Sequence, residues 1–230
     1  MGLAFKWLGH SAFLFDIDGH QVLIDPFLTG NPLAAADPEM VTPEIILLSH
    51  AHGDHLGDTL DIALRTGATV ISNWEISDWL LNKGVRDAIQ MNTGGSFDAG
   101  FFTVKLTIAF HSSSFPDGSY GGSPHGFLIT LPDNGYKIYY AGDTALYSDM
   151  QLIGAEGIDL AFLPIGDHFT MGVRDSIQAI QWLKPRLVAP MHYNTFPPIV
   201  QNVAEWAKLV NNHTDATPIV LDPGGEYTVI

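Results

Sequence analysis

The run Ile45-Ile46-Leu47-Leu48 passes directly into Ser49-His50-Ala51-His52-Gly53-Asp54-His55, and no other stretch restricts the chain as strongly. Four consecutive apolar residues read as a strand buried on both faces, which requires parallel neighbours and covering helices. The polar cluster then lies beyond the carboxyl end of that strand, where ligands gather in open α/β sheets. His50 and His52 are two residues apart, so they project the same way from a nearly extended loop. Gly53 lets the backbone turn tightly. Asp54 and His55 ride onto the opening of the next helix and face a second position. This spacing points to two metal positions. The chain holds ten His, as many as Lys and Arg together, and no Cys, so a metal must be bound by imidazole and carboxylate.

Three further candidates each follow an apolar run. His111 comes after Leu106–Phe110, Asp143 after Tyr139-Tyr140-Ala141, and His192 after Leu187–Met191. With the first cluster they supply five His and two Asp, enough for two first-row ions with a position open to water.

The surrounding pattern fits an α/β architecture. Strands are expected at Phe5–Leu8, Ala12–Ile17 and Gln21–Asp25, with Asp18-Gly19 as a hairpin turn. Leu56, Leu60 and Leu64 recur every four residues and predict a helix closed by Gly67. A strand over Ala68–Ser72 and a helix over Trp74–Asn82 follow. The middle predicts strands at Phe101–Phe110, Gly126–Leu131 and Tyr136–Ala141, the last two joined by Asn134-Gly135. Strands at Ile158–Pro164, Leu187–Pro190 and Ile219–Leu221 then alternate with helices at Ser176–Leu183 and Ile199–Val210. Both halves run from hairpin strands into strand–helix alternation. No linker divides the chain, so one domain over residues 1–230 is expected, with two sheets inside and helices outside.

At these residues the chain resembles the metallo-β-lactamase superfamily. The ordered set is His50-x-His52-x-Asp54-His55, His111, Asp143 and His192. Leu8-Gly9-His10-Ser11-Ala12, Ile24-Asp25-Pro26-Phe27, His111-Ser112-Ser113-Ser114, the segment from Pro164 to Gly172 and that from Pro190 to Pro197 are similar to a compact branch of metal-dependent hydrolases. That branch is itself similar to the ascorbate-6-phosphate lactonases. The resemblance spans nearly the whole chain and implies a four-layer αββα sandwich. It implies that His50, His52 and His111 bind a first ion, that Asp54, His55 and His192 bind a second, and that Asp143 bridges them. It also marks a departure: the branch usually has Asn where His168 stands, which makes His168 a candidate proton donor or extra ligand.

The activity this implies is hydrolysis of a small ester, lactone or phosphoester by a hydroxide held on two divalent ions. Zinc is expected first, with manganese, iron, cobalt or nickel as alternatives. Asp54 is expected to orient the water or accept its proton. The other readings are a phosphodiesterase or nuclease, a di-iron redox protein and a metal-sensing module. A net charge of −15 argues against binding nucleic acid or an anionic membrane. The expected partner is a small molecule. Five Trp and a positive mean hydropathy suggest a homo-oligomer. Without a recognisable signal segment or an apolar run of about 20 residues, a cytoplasmic protein is expected. Asp25 ends a strand before Pro26 and is read as support for the metal loop. His10 is open between support and packing, His125 is read as structural, and His20 and His213 as solvated.

Overall fold

A computed structural model describes residues 2–229. It divides into two compact units, each built on a seven-stranded mixed sheet with helices. The first comprises Met1–Gly95, Ser112–Pro124 and Leu221–Ile230; the second comprises Ser96–His111 and His125–Val220.

In the first unit, β1 (Leu3–Gly9), β2 (Ala12–Ile17) and β3 (His20–Ile24) form an antiparallel meander. Its second turn is the expected Asp18-Gly19, and both residues take positive φ (53° and 88°), as a tight right-twisted hairpin requires. β4 (Ile45–Leu47) then joins β3 in parallel. Two helices follow, α1 (Gly53–Leu56) and α2 (Thr59–Thr66). β5 (Thr69–Asn73), α3 (Trp74–Asn82) and β6 (Ala88–Met91) complete the parallel side. Apolar residues of α2 and α3 (Ile62, Ala63, Ile76 and Leu80) pack with Leu23, Ile46, Leu48 and Val70 in one buried cluster. Asn73 caps α3 by accepting from Ile76 N, and its amide donates to the Gly121 and Ser123 carbonyls of the 112–124 segment.

In the second unit, β7 (Ser96–Asp98), β8 (Thr103–Ile108), β9 (His125–Thr130) and β10 (Lys137–Tyr140) are antiparallel neighbours. Helix α4 (Met150–Gly154) leads to β11 (Leu160–Pro164), then α5 (Val173–Leu183), β12 (Leu187–Met191), α6 (Val203–His213) and β13 (Thr217–Pro218), the last three strands being parallel. The strands lie in chain order across the sheet. The first sheet is also in chain order, except that β14 (Glu226–Thr228) returns to pair with β1.

Several expectations need correction. The Leu56, Leu60 and Leu64 stripe is not one helix face: Gly57 (φ 39°) separates α1 from α2, and Leu64 is half exposed. The helix expected over Ile199–Val210 starts at Val203, because Pro197–Ile199 forms a short 3₁₀ turn. Ile219–Leu221 lies beyond β13, and the edge strands β6, β7 and β14 and helix α4 were not expected. Trp74–Asn82 matches its predicted span.

Candidate functional site

Four of the seven expected ligands belong to the first unit. β4 delivers Ser49 and His50 into full burial, and α1 carries Asp54 and His55. Asp25, completely buried at the end of β3 with φ 44°, organises them. Its Oδ1 accepts from Ser49 N at 2.8 Å, and its Oδ2 accepts from Ser49 Oγ at 2.6 Å. The same Oδ2 lies 2.8 Å from His55 Nδ1. A carboxylate only accepts, so His55 carries its proton on Nδ1 and presents a lone pair on Nε2. Ser49 has one hydroxyl proton and gives it to Asp25. Its contact with His50 Nδ1 at 3.0 Å therefore has the ring donating, which puts the lone pair of His50 on Nε2 as well. One buried carboxylate thus sets the tautomer of two imidazoles, as outer partners of metal-binding histidines commonly do.

The donor atoms converge. His50 Nε2 and His52 Nδ1 are 3.0 Å apart, with Ser112 Oγ 3.4 Å from the other nitrogen of His52. The rings of His50 and His55 have centroids 4.2 Å apart. His10, in the turn from β1 to β2, places Nε2 3.4 Å from Asp54 Oδ2.

The second unit holds the other three. β8 ends ahead of His111, β10 ahead of Asp143, and β12 ahead of His192. Asp143 Oδ2 is 3.0 Å from His192 Nε2 and 3.5 Å from His111 Nε2. Thr144 ties two of these ends together, its Oγ1 accepting from Phe110 N at 3.0 Å. His192 has φ 56°. Gly166 lies beneath it, and a Cβ there would run into the His192 carbonyl. His168 occupies an exposed turn, its ring edge-on to Phe169 at 4.5 Å.

These residues fit metal ions by a simple measure. Two donors 2.0–2.1 Å from one ion lie about 3.0–3.4 Å apart, depending on the angle at the ion. The His50–His52, His111–Asp143 and His192–Asp143 pairs, at 3.0, 3.5 and 3.0 Å, fall at or within a tenth of an ångström of that range. The donor set is imidazole and carboxylate, suited to zinc, iron or manganese.

Comparison with known proteins gives the family. The Beta-lactamase superfamily domain matches residues 4–192. A UPF0173 metal-dependent hydrolase of Thermus thermophilus is 49% identical over 205 residues, covering 88% of this chain and 89% of its own. This chain belongs to the UPF0173 metal-dependent hydrolases of the metallo-β-lactamase superfamily. A UPF0173 relative from Methanosarcina mazei is 43% identical over 226 residues, 96% of each chain. The solved structure of Igni18, a metallo hydrolase from Ignicoccus hospitalis, superposes with a TM-score of 0.91 at 38% identity, covering 100% of this chain and 99% of that one. An isothiocyanate hydrolase from Delia radicum gut bacteria (TM-score 0.77, 17% identity, 97% and 98% covered) shares the fold. The expected α/β metallo-β-lactamase fold is therefore shown, and this UPF0173 chain is a metal-dependent hydrolase.

The remaining histidines sort by position. His125 opens β9, buried and edge-on to Phe127 at 5.2 Å, as a structural residue would be. His213 is exposed at the end of α6. His20 is solvated as expected, its half-exposed ring pairing through Nδ1 with the exposed Glu44 carboxylate at 3.0 Å. Ser49 was the supporting residue that sequence reasoning missed. Its only local signal was a hydroxyl placed immediately before the first histidine. No helix among the described residues is long and apolar enough to cross a membrane.

Proposed function

We propose that this UPF0173 protein is a dinuclear metallohydrolase acting on a small ester, lactone or phosphoester. The observation that carries the reading is the Asp25–Ser49 network, which aims the Nε2 lone pairs of both His50 and His55. A solvated polar loop has no reason to bury a carboxylate for that purpose. His50, His52 and His111 are assigned to one ion, Asp54, His55 and His192 to the other, and Asp143 to both. Zinc is the first choice, and manganese or iron suit the same donors. When bound, such ions acidify a coordinated water and polarise a carbonyl or phosphoryl oxygen.

The chain's own residues supply the rest. Asp54, with its side chain one-third exposed, orients the attacking water and accepts its proton. Asp25 and Ser49 keep the imidazoles from rotating as charge shifts. His168, in an exposed turn, is assigned as the proton donor to the departing oxygen. No Ser or Cys nucleophile is assigned. The acidic balance of −15 favours a small substrate over RNA or DNA.

The test is metal analysis of purified protein together with hydrolysis of lactone, ester, phosphodiester and RNA substrates. Two ions per chain are expected, with Asp143→Ala lowering metal content and abolishing turnover of the small substrates. His168→Asn should keep its metal, and loss of a full equivalent would make His168 a ligand instead. Full metal stoichiometry in Asp143→Ala would remove the bridging assignment, and cleavage of RNA would move the protein to the nuclease reading.

A further inference from the structure

His10 lies outside the family pattern of seven ligands. We propose that it is a direct metal ligand, acting with Asp54 and His55 on one ion, an inference that rests on the metallohydrolase reading above. Three independent features place it there. Its Nε2 is 3.4 Å from Asp54 Oδ2, the separation expected of two donors sharing a tetrahedral ion. His10, Asp54 and His55 each offer a ligand atom within 4.8 Å of the others. The His10 ring is fully buried, edge-on to His55 at 5.5 Å and to Phe27 at 5.9 Å.

The backbone is bent to deliver it. His10 takes φ 56° in the two-residue turn between β1 and β2, a conformation for which glycine is the default. Its neighbour Gly9 (φ 102°) fills the preceding position, where a Cβ would come within 2.5 Å of the Leu33 carbonyl oxygen. Trp7 Nε1 donates to the His10 carbonyl at 3.0 Å and pins the turn. His192, an expected ligand, has the same φ of 56° and the same burial. Strained backbone of this kind collects at functional sites. Added to the Asp54, His55, His192 and shared Asp143 assigned above, His10 makes a donor set of three imidazoles and two carboxylates, which accepts zinc, iron or manganese.

The experiment uses the whole protein stripped by chelator and titrated with Zn²⁺ against a chromophoric competitor. Wild type is compared with His10→Asn, which keeps a polar side chain tolerant of positive φ, and His10→Gly, which relieves the backbone and opens a space. Each variant should weaken one ion by more than about 10-fold and spare the other, since even outer-shell substitutions cost about 10–100-fold in affinity. Co²⁺-loaded His10→Gly should show an altered visible d–d spectrum that returns towards wild type when imidazole is added. Unchanged affinity for both ions with an unchanged Co²⁺ spectrum overturns the proposal, whatever happens to the melting temperature. Equal weakening of both ions also overturns it. If wild type binds two ions and the variants match it, only the role of His10 fails. If wild type binds none, the metallohydrolase reading falls with it.

Discussion

Asp25 shows how much can depend on one side chain that is not itself a ligand. With no exposure, it accepts from Ser49 twice and faces His55 Nδ1. In Asp25→Asn, the amide would offer either a weaker acceptor or a donor facing a donor. The His55 ring must then turn or change tautomer. Affinity for at least one ion should fall about 10-fold or more, in line with other outer partners of metal-bound histidines. Competition with a chelator reads this directly, and wild-type affinity in the variant would deny Asp25 that role. The supporting position of Asp25 was legible, because an acidic residue ending an apolar strand before Pro26 has few other uses. The part played by Ser49 was not. It depends on a partner 24 residues away, and no local pattern records which hydroxyl meets which carboxylate.

At the scale of elements, β10 carries a different liability. Burial pushes the Tyr139 hydroxyl well above its ordinary value of 10.0, helped by the neighbouring Tyr147. Burial raises Tyr147 too. Tyr147 donates to the Ile108 carbonyl at 2.7 Å, so the pair joins β10 to the end of β8. An unfolded tyrosine loses its proton near pH 10 while the buried one keeps it. Stability from this pair is complete below that pH and declines as pH rises above it. The melting temperature of wild type should therefore drop more steeply between about pH 9.5 and 11 than that of Tyr139→Phe. Parallel slopes would show that other groups govern the alkaline limit. The hairpins and the Trp74–Asn82 helix were legible because turn chemistry and capping are written in adjacent residues. Three edge strands were not, since Ala88–Met91, Ser96–Asp98 and Glu226–Thr228 are short and are defined by the strand beside them. The leucine stripe misled because a period of four also spans a glycine break.

For the whole molecule, charge governs access. A chain at −15 repels anions at long range, even where bound cations would make the site itself positive. Raising salt from about 0.01 to 0.1 M shortens the screening length from about 30 to 10 Å. For an anionic ester, kcat/KM should rise several-fold over that interval, while a neutral ester of similar size stays constant. A fall with salt for the anionic ester would mean that a local cationic patch dominates capture. The return of β14 to β1 has a consequence of another kind. Ala4, Phe5 and Lys6 pair with Thr228, Tyr227 and Glu226, more than 200 residues later. While the ribosome is still making the chain, the outer edge of β1 stays open until residues 226–228, more than 200 positions later, have been translated. The nascent protein therefore carries an unpaired strand edge beside the aromatic side chain of Phe5, the kind of surface that chaperones hold and that seeds aggregation when they do not.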